Sequence, residues 1–335
     1  MTNAGDIVPL GRTGLAVSRL GLGLASLGGL FAPVSDDQAA ATLDRAWEVG
    51  IRLYDTAPVY GYGRSEVRTG RALRSHPRGD YVLCTKVGRL IEPGGPDTQA
   101  IWADPPPGLG PRLDYRYQAV LRSVEDSLNR LGLDQVDVLH IHDPDEDYPM
   151  ALREAYRALD DLRRAGVIHA VSLGVNHADV AARFLREAPP PGPDAVLLAG
   201  RYTLMDQSGL ADLLPLCARR GVAVLAAGVF QAGLLAEPRS GAAYGYAEVP
   251  AALLDRVHAI RAICAEHDVP PLAAAIQFPL GHPAVAAVLV GARSPQEVTD
   301  SAALLAHPVP PQLWRRLRAT GLLPENAPVP EPDIR

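Results

Sequence analysis

Residues Gly21–Gly29 read "GLGLASLGG", and the reading of this stretch decides between two folds. Around it, short apolar runs alternate with longer amphipathic stretches. The runs are "SRLGLGLA", "IRLYD", "YVLCTK", "VDVLHIH", "HAVSLGVN", "DAVLLAG", "VAVLAAG" and "VAAVLVG". Strands that alternate with helices build a parallel sheet, either open and doubly wound or closed as a barrel. An open sheet of this kind grips its nucleotide with G-x-G-x-x-G after the first strand and an acidic residue at the end of the second. "GLGLASLGG" has the glycines but not that spacing, and no acidic residue ends the second run in the expected register. Eight runs are what a closed barrel needs. The chain is therefore read as an α/β protein with a (β/α)8 TIM barrel.

The stretches "DDQAAATLDRAWEVG", "DYRYQAVLRSVEDSLNRLGL" and "MALREAYRALDDLRRAGVI" carry apolar residues at helical spacing, with glycine at the stop signals. Ahead of the first run, "IVPLGRTGLAVS" reads as a β-hairpin turning at "GRTG", placed to cover the bottom of the barrel. One connection is unusually long. "VGRLIEPGGPDTQAIWADPPPGLGPRLDY", residues 87–115, is rich in Pro and Gly and is expected to be neither helix nor strand. Loops of that length in a compact domain are usually functional, and Trp102 within it favours a segment that packs.

The chain has 335 residues, 47% of them hydrophobic, which is enough for a large core. A single barrel domain over residues 1–335 is the expectation. A net charge of −6 gives no general attraction to nucleic acid or to an anionic membrane. No apolar run approaches the ~20 residues that span a bilayer. The N-terminal "MTNAGDIVPLGRTG" lacks the basic and apolar regions of a signal peptide, so a cytoplasmic location is expected. Cys84, Cys217 and Cys264 are far apart and match no zinc or disulfide spacing, so they are read as structural and no metal site is expected.

Chemistry in a barrel sits at the C-terminal ends of its strands. Those ends present Asp55, Lys86 and His142, and Tyr60 follows Asp55 in "YDTAPVYGYG". A phenol, an ammonium, an imidazole and a carboxylate on one face suit proton transfer to or from a carbonyl oxygen. A phenol has a pKa of about 10 and is a poor base at neutral pH. An ammonium about 4 Å away favours the phenolate by roughly 4 kcal/mol at an effective dielectric near 20. Before desolvation is subtracted, that is up to about three pKa units. Tyr60 beside Lys86 is thus expected to titrate near the working pH. Asp55 would hold Lys86, and His142 would donate to a developing oxyanion.

The motifs "YDTAPVYGYGRSE", "LCTKVG", "DVLHIHDPD", "SLGVN" and "VLVGARSPQEVTDS" together resemble those of the aldo-keto reductases, in order, from about Leu10 to Leu305. The resemblance implies a (β/α)8 barrel that binds a nicotinamide dinucleotide without a Rossmann motif. It implies a catalytic tetrad of Asp55, Tyr60, Lys86 and His142. His140, two residues before His142, is expected on the other side of its strand. "PLGRTGLAVSRLGLG", "YGYGRSE" and "RYTLMDQ" look most like a bacterial subgroup that oxidises D-threo-aldoses such as L-fucose at C1 to lactones, or pyridoxal at C4. An NADPH-dependent carbonyl reductase and a non-catalytic cofactor-sensing subunit are the rival readings.

The same resemblance assigns cofactor contacts to Gly23, Leu24, Asn176, Gly228, Phe230, Gly233, Gly291, Ala292, Arg293, Glu297 and Ser301. Substrate contacts fall to Trp102, Tyr60 and His142, and to loops at about 87–115 and 229–249 and the tail 322–335. The chain departs from the family pattern in several places. Val175 precedes Asn176 where the family has serine. Ala199 replaces a glutamine, and Ala227 replaces the aromatic that stacks on the nicotinamide, a role left to Phe230. Gly291, Glu297 and Ser301 replace lysine, arginine or glutamine, and asparagine. A carboxylate at Glu297 repels a 2′-phosphate, while Arg293 would attract one. NAD is therefore expected ahead of NADP. The partners expected are a small sugar or aldehyde, no nucleic acid and no membrane, with the chain a monomer or weak homo-oligomer.

Overall fold

The computed structural model describes residues 2–235, 243–244, 247–248 and 251–330. Residues 236–242, 245–246 and 249 of the expected substrate loop 229–249, and the last residues of the tail 322–335, lie outside the described residues. Along the chain the strands are β1 (Ile7–Pro9), β2 (Ala16–Ser18), β3 (Leu20–Gly23), β4 (Leu53–Asp55), β5 (Val82–Val87), β6 (Arg89–Pro93) and β7 (Leu109–Leu113). They continue with β8 (Val138–His142), β9 (Ala170–Val175), β10 (Ala195–Ala199), β11 (Ala223–Ala227), β12 (Ala243–Tyr244), β13 (Ala247–Glu248) and β14 (Val285–Gly291). The parallel strands β3, β4, β5, β8, β9, β10, β11 and β14 close a barrel in that order. Each of the eight apolar runs supplies one of them.

The lower interior of the barrel is aliphatic. Leu53, Val82, Val138, Ala195, Leu225 and Leu289 pack there with Leu10 and Val17 from the N-terminal segment. That segment is the antiparallel β1–β2 hairpin, and it caps the N-terminal mouth as expected. Its turn sits hard against the bottom of β11. A Cβ at Gly11, where φ is +55°, would lie 2.8 Å from the Gly221 carbonyl oxygen.

Helices wrap the outside where the apolar periodicity placed them. The helix Asp36–Glu48 starts because the Ser35 hydroxyl accepts the Gln38 N–H and two aspartates occupy its first turn. The helix Tyr117–Leu131 stops at Gly132, which is left-handed at φ 62°. The third stretch contains a π turn at Ala151–Ala155 ahead of the helix Tyr156–Arg164. Cys84, Cys217 and Cys264 are free and buried. Among the described residues, no helix is long and apolar enough to cross a membrane.

The segment 87–115 corrects an expectation. It is not irregular throughout: β6 and β7 pair as an antiparallel ribbon, Arg89 opposite Leu113 through Pro93 opposite Leu109. Prolines survive in it because each strand of a two-stranded ribbon has one edge with no ladder to support. The tip beyond the ribbon folds back over the barrel. Trp102 is buried, bridges to Leu30, and donates its indole N–H to Gln99 Oε1 at 2.8 Å.

A glycine contact fixes the loop that carries Tyr60. A Cβ at Gly28 would lie 2.7 Å from the Tyr60 carbonyl carbon, and one at Gly61 would lie 2.1 Å from the Gly28 carbonyl oxygen. Neither backbone can retreat without moving Tyr60. We expect Gly28→Ala to cost about 1–3 kcal/mol in a urea titration, the usual range for overpacking, and to slow turnover. Unchanged stability with unchanged turnover would show that this contact does not hold the tyrosine.

Candidate active site

Asp55 is the last residue of β4, so its side chain turns into the barrel at the upper rim. Strand register brings Cys84 of β5 beside Asp55 and His140 of β8 beside Lys86. Side chains two apart share a face. Cys84 and Lys86 therefore both point inward, and so do His140 and His142.

The Lys86 ammonium reaches Asp55 at 2.8 Å and 2.6 Å to the two oxygens and Thr56 O at 2.9 Å. Lysine and aspartate are both buried. Gly174 of β9 makes the room: a Cβ there would already touch Lys86 Cε at 3.6 Å. Lys86 Nζ lies 4.8 Å from the centre of the Tyr60 ring. The Tyr60 ring meets His142 edge to face at 6.0 Å and Trp102 at 5.6 Å. Asp55, Tyr60, Lys86 and His142 thus converge as the strand-end reading expects, with Trp102 of the long loop beside them.

The electrostatics depart from the sequence argument. Burial opposes the charge on Asp55, but Lys86 and then His140 outweigh it, and its pKa falls below the ordinary value. Burial likewise opposes the charge on Lys86, yet Asp55 and Tyr60 raise its pKa. Tyr60 does not come down towards neutrality. Burial pushes the phenol up to about 12; Lys86 pulls it down, and Asp55 pushes it up again. Desolvation outweighs the pull of the lysine, and Asp55 offsets part of that pull. Part of the tyrosine faces the cavity, where water tempers the shift; the direction is upward. Burial, then Lys86 and Arg89, hold the His142 imidazole well below its usual pKa, so it is neutral. His142 Nδ1 is buried without a partner. A proton on Nε2 leaves only a lone pair stranded there, and keeps the N–H for the cavity.

His140 is a second correction. It does not lie across the strand from His142 but one pleat below it, wholly buried, with Nε2 3.2 Å from Asp55 Oδ1. A spacing of two keeps a residue on the same face.

These groups open into a cavity of about 520 Å³. Besides Tyr60, Lys86, His142 and Trp102, its wall includes Arg89, Gln99, Asp143, Glu146 and Asn176, none of them but Asn176 singled out from sequence. Arg89 is buried and bonds Asp143 at 3.1 Å and Glu146 at 2.9 Å. Asn176 donates to the other Asp143 oxygen at 3.0 Å. Tyr115 donates to the His142 and Asp143 carbonyls at 2.5 Å and 2.6 Å, pinning the rim where Asp143 sits at φ 45°. Asp143 was findable, since it directly follows His142 at a strand tip. Arg89 was not, because only the β6–β7 ribbon turns it inward.

The residues expected to touch a cofactor divide. Asn176 lines the cavity, and so does Ala199, where the family has a glutamine. Ala227, Gly228 and Gly291 leave the neighbouring rim bare, and a Cβ at Gly291 would crowd Ser26 Oγ at 2.9 Å. Such a rim fits a flat ring and phosphates lying against the backbone. Gly23 keeps its Cβ direction clear, with only the Val290 backbone at 3.7 Å. Leu24 is different: its N–H is committed to Asp55 O at 2.8 Å and its carbonyl to Ser65 Oγ at 2.9 Å. Ser301 is buried, and its hydroxyl donates back to Glu297 O at 2.8 Å, so it serves its own helix. Ala292 is buried too. Phe230 packs against the outer core, and Gly233 closes a short turn on the Phe230 carbonyl. Arg293 and Glu297 are paired with each other at 3.5 Å. Glu297 also accepts the Arg293 N–H at 2.8 Å, while Ser294 caps Glu297 N at the start of the helix Pro295–Ala306.

Among the described residues, Asp55, Cys84 and His140 form the one buried cluster with metal-ligating atoms within 4.8 Å of one another. Lys86 already occupies the carboxylate. Burial, then Asp55, raises the Cys84 thiol pKa well above normal and keeps it protonated.

A sequence profile of the Aldo/keto reductase family matches residues 19–321. A D-threo-aldose 1-dehydrogenase of a Pseudomonas species is 42% identical, over 93% of this chain and 96% of its own. A pyridoxal 4-dehydrogenase of Microbacterium luteolum is also 42% identical, over 94% and 97%. The solved holo form of an aldo-keto reductase from Bacillus halodurans superposes with a TM-score of 0.74 at 26% identity, covering 97% of this chain and 98% of that one. With the barrel closed and these matches running along most of its length, the chain belongs to the aldo/keto reductase family of oxidoreductases.

Proposed function

We propose that this enzyme oxidises the C1 hydroxyl of a small aldose, such as L-fucose or another D-threo-aldose, to a lactone, with NAD preferred. Aldo-keto reductases use NAD(H) or NADP(H). The observation that carries the reading is the cavity itself. A proton-transfer group, Tyr60, faces a wall of Arg89, Gln99, Asp143, Glu146 and Asn176. Two carboxylates, two amides and a guanidinium suit a substrate with hydroxyls on several carbons. The substrate-facing segments in this reading are 87–115, 229–249 and the tail 322–335. A second reading, oxidation of pyridoxal at C4, draws on Tyr60 and Trp102, whose rings make one aromatic wall suited to a pyridine. Initial rates with a panel of aldoses and pyridoxal separate the two.

A bound oxidised nicotinamide supplies the hydride acceptor, and Asn176 with the bare rim at Ala227, Gly228 and Gly291 would hold it. Tyr60 takes the proton of the substrate hydroxyl. Lys86 stabilises the phenolate that must exist for that transfer, and Asp55 fixes Lys86. His142 donates from Nε2 to the oxygen that becomes the carbonyl. In the reverse direction Tyr60, as a phenol, returns the proton. Because burial raises the phenol to about 12, its basic form is scarce at neutral pH. Oxidation should therefore quicken steadily from pH 7 towards pH 10.

Tyr60→Phe should abolish turnover while fluorescence titration shows NAD binding intact. Near-wild-type turnover would remove the assignment.

Lys86→Met leaves Asp55 buried and unpaired. It should inactivate the enzyme and cost about 3–5 kcal/mol in urea denaturation. Asp55→Asn should be milder, since an amide still orients the lysine. The double variant should recover much of the stability and none of the turnover. Recovered turnover would mean that Lys86 acts only by neutralising Asp55.

Glu297→Arg should raise kcat/KM with NADP and lower it with NAD, by repulsion from a 2′-phosphate that is relieved at an exposed site. Since Glu297 also caps its helix, Glu297→Gln serves as the control for capping. A wild type that prefers NADP, and loses that preference in Arg293→Ala, would reverse the cofactor reading.

A further inference from the structure

Among the described residues, His140 is a titratable side chain of the barrel interior that the proposed reaction leaves unused. His140 has no exposed surface. Its Nε2 lies 3.2 Å from Asp55 Oδ1, somewhat off line for a full hydrogen bond, and neither ring nitrogen makes a hydrogen bond of good geometry. Asp55 of β4, Cys84 and Lys86 of β5, and Ser172 and Gly174 of β9 surround it. His142 follows on its own strand, and Tyr60 lies beyond Lys86. Burying an imidazole with so little compensation is costly, where a leucine would be free of that cost. A polar group there needs a reason.

The chemistry around the ring supplies one. Burial lowers its pKa, Lys86 adds to this, and Asp55 and the Leu173 backbone pull the other way; the net direction is down, so the ring is neutral. A neutral imidazole has one N–H. A bare Nε2 lone pair would face a carboxylate oxygen and be repelled, so the proton belongs on Nε2. Cys84 offers Asp55 no charge, because its thiol stays protonated. His142 is neutral and one pleat higher. Among the described residues, only Lys86 and His140 bring side-chain donors to this carboxylate.

We propose that His140 is a positioning residue: a neutral imidazole, protonated on Nε2, that steadies Asp55 against Lys86 and so sets how much of the lysine charge reaches Tyr60. Every donor on Asp55 takes up part of the carboxylate charge. Without His140 the carboxylate draws more fully on Lys86, and the phenol becomes harder to ionise. The inference rests on Tyr60 being the proton carrier.

The test compares His140→Leu with His140→Gln, whose amide N–H can still reach Asp55. His140→Leu should slow oxidation roughly tenfold at neutral pH and displace the rising limb of the pH–rate curve by about one unit to higher pH. His140→Gln should restore both, and the Kd for NAD should not move in either. Nitrogen NMR of the wild type should find His140 as the Nε2–H tautomer, neutral at about pH 7 and above. The proposal is overturned by an unmoved limb in His140→Leu, by a loss that His140→Gln fails to repair, or by an Nδ1–H tautomer. Should His140→Leu not fold, the tautomer and the His140→Gln profile decide. If His140→Leu behaves as wild type while Tyr60→Phe is dead, the positioning role alone falls; an active Tyr60→Phe removes the reading beneath it.

Discussion

The ion pair between Asp55 and Lys86 is the constraint around which the upper barrel is built. Either charge alone, buried at this depth, would cost several kcal/mol. Together they are tolerable only with close geometry and further donors and acceptors, and the barrel provides these. The Thr56 carbonyl takes one ammonium hydrogen, and His140 stands at the back of the carboxylate. Gly174 leaves space for the lysine stem. Parallel register among β4, β5, β8 and β9 sets these positions, so closing the sheet and assembling the pair are the same event.

That pair also decides what Tyr60 can do. A free ammonium beside a phenol would draw its pKa towards neutrality. An ammonium shared with a carboxylate draws it much less, and desolvation prevails. The consequence is a direction of ease. A proposed acid that holds its proton at neutral pH serves carbonyl reduction there, while alcohol oxidation is favoured by alkali. The two relatives at 42% identity are both named as dehydrogenases. In the proposed aldose oxidation, the pH of the medium therefore governs the rate through one phenol.

Much of this was legible in the sequence. The eight runs gave the barrel because fully buried parallel strands are short, continuous and apolar, and "GLGLASLGG" lacked the spacing of the alternative fold. The strand-end rule found Asp55, Lys86 and His142, and the resemblance joined Tyr60 to them. Three things escaped. The β6–β7 ribbon was hidden because Pro and Gly, which break most strands, are harmless in a two-stranded arm. With it went Arg89, whose inward turn depends on that arm. His140 shares the inward face of His142, as the spacing of two in "HIH" requires of a strand. The raised phenol was missed for a deeper reason: a Coulomb estimate from pairwise proximity omits the desolvation and the third charge that only a folded barrel supplies.

The central claim is that Tyr60 keeps its proton far above neutrality because burial opposes the phenolate and Asp55 offsets part of the pull of Lys86. The most direct measurement is a pH titration of protein carrying carbon-13 at the tyrosine ring carbon that bears oxygen, with the Tyr60 signal assigned by its loss in Tyr60→Phe. The account predicts that this signal stays at its phenol position to beyond about pH 11. A midpoint below about pH 9 would mean that the lysine field reaches the phenol after all, and the account of the ion pair would be wrong.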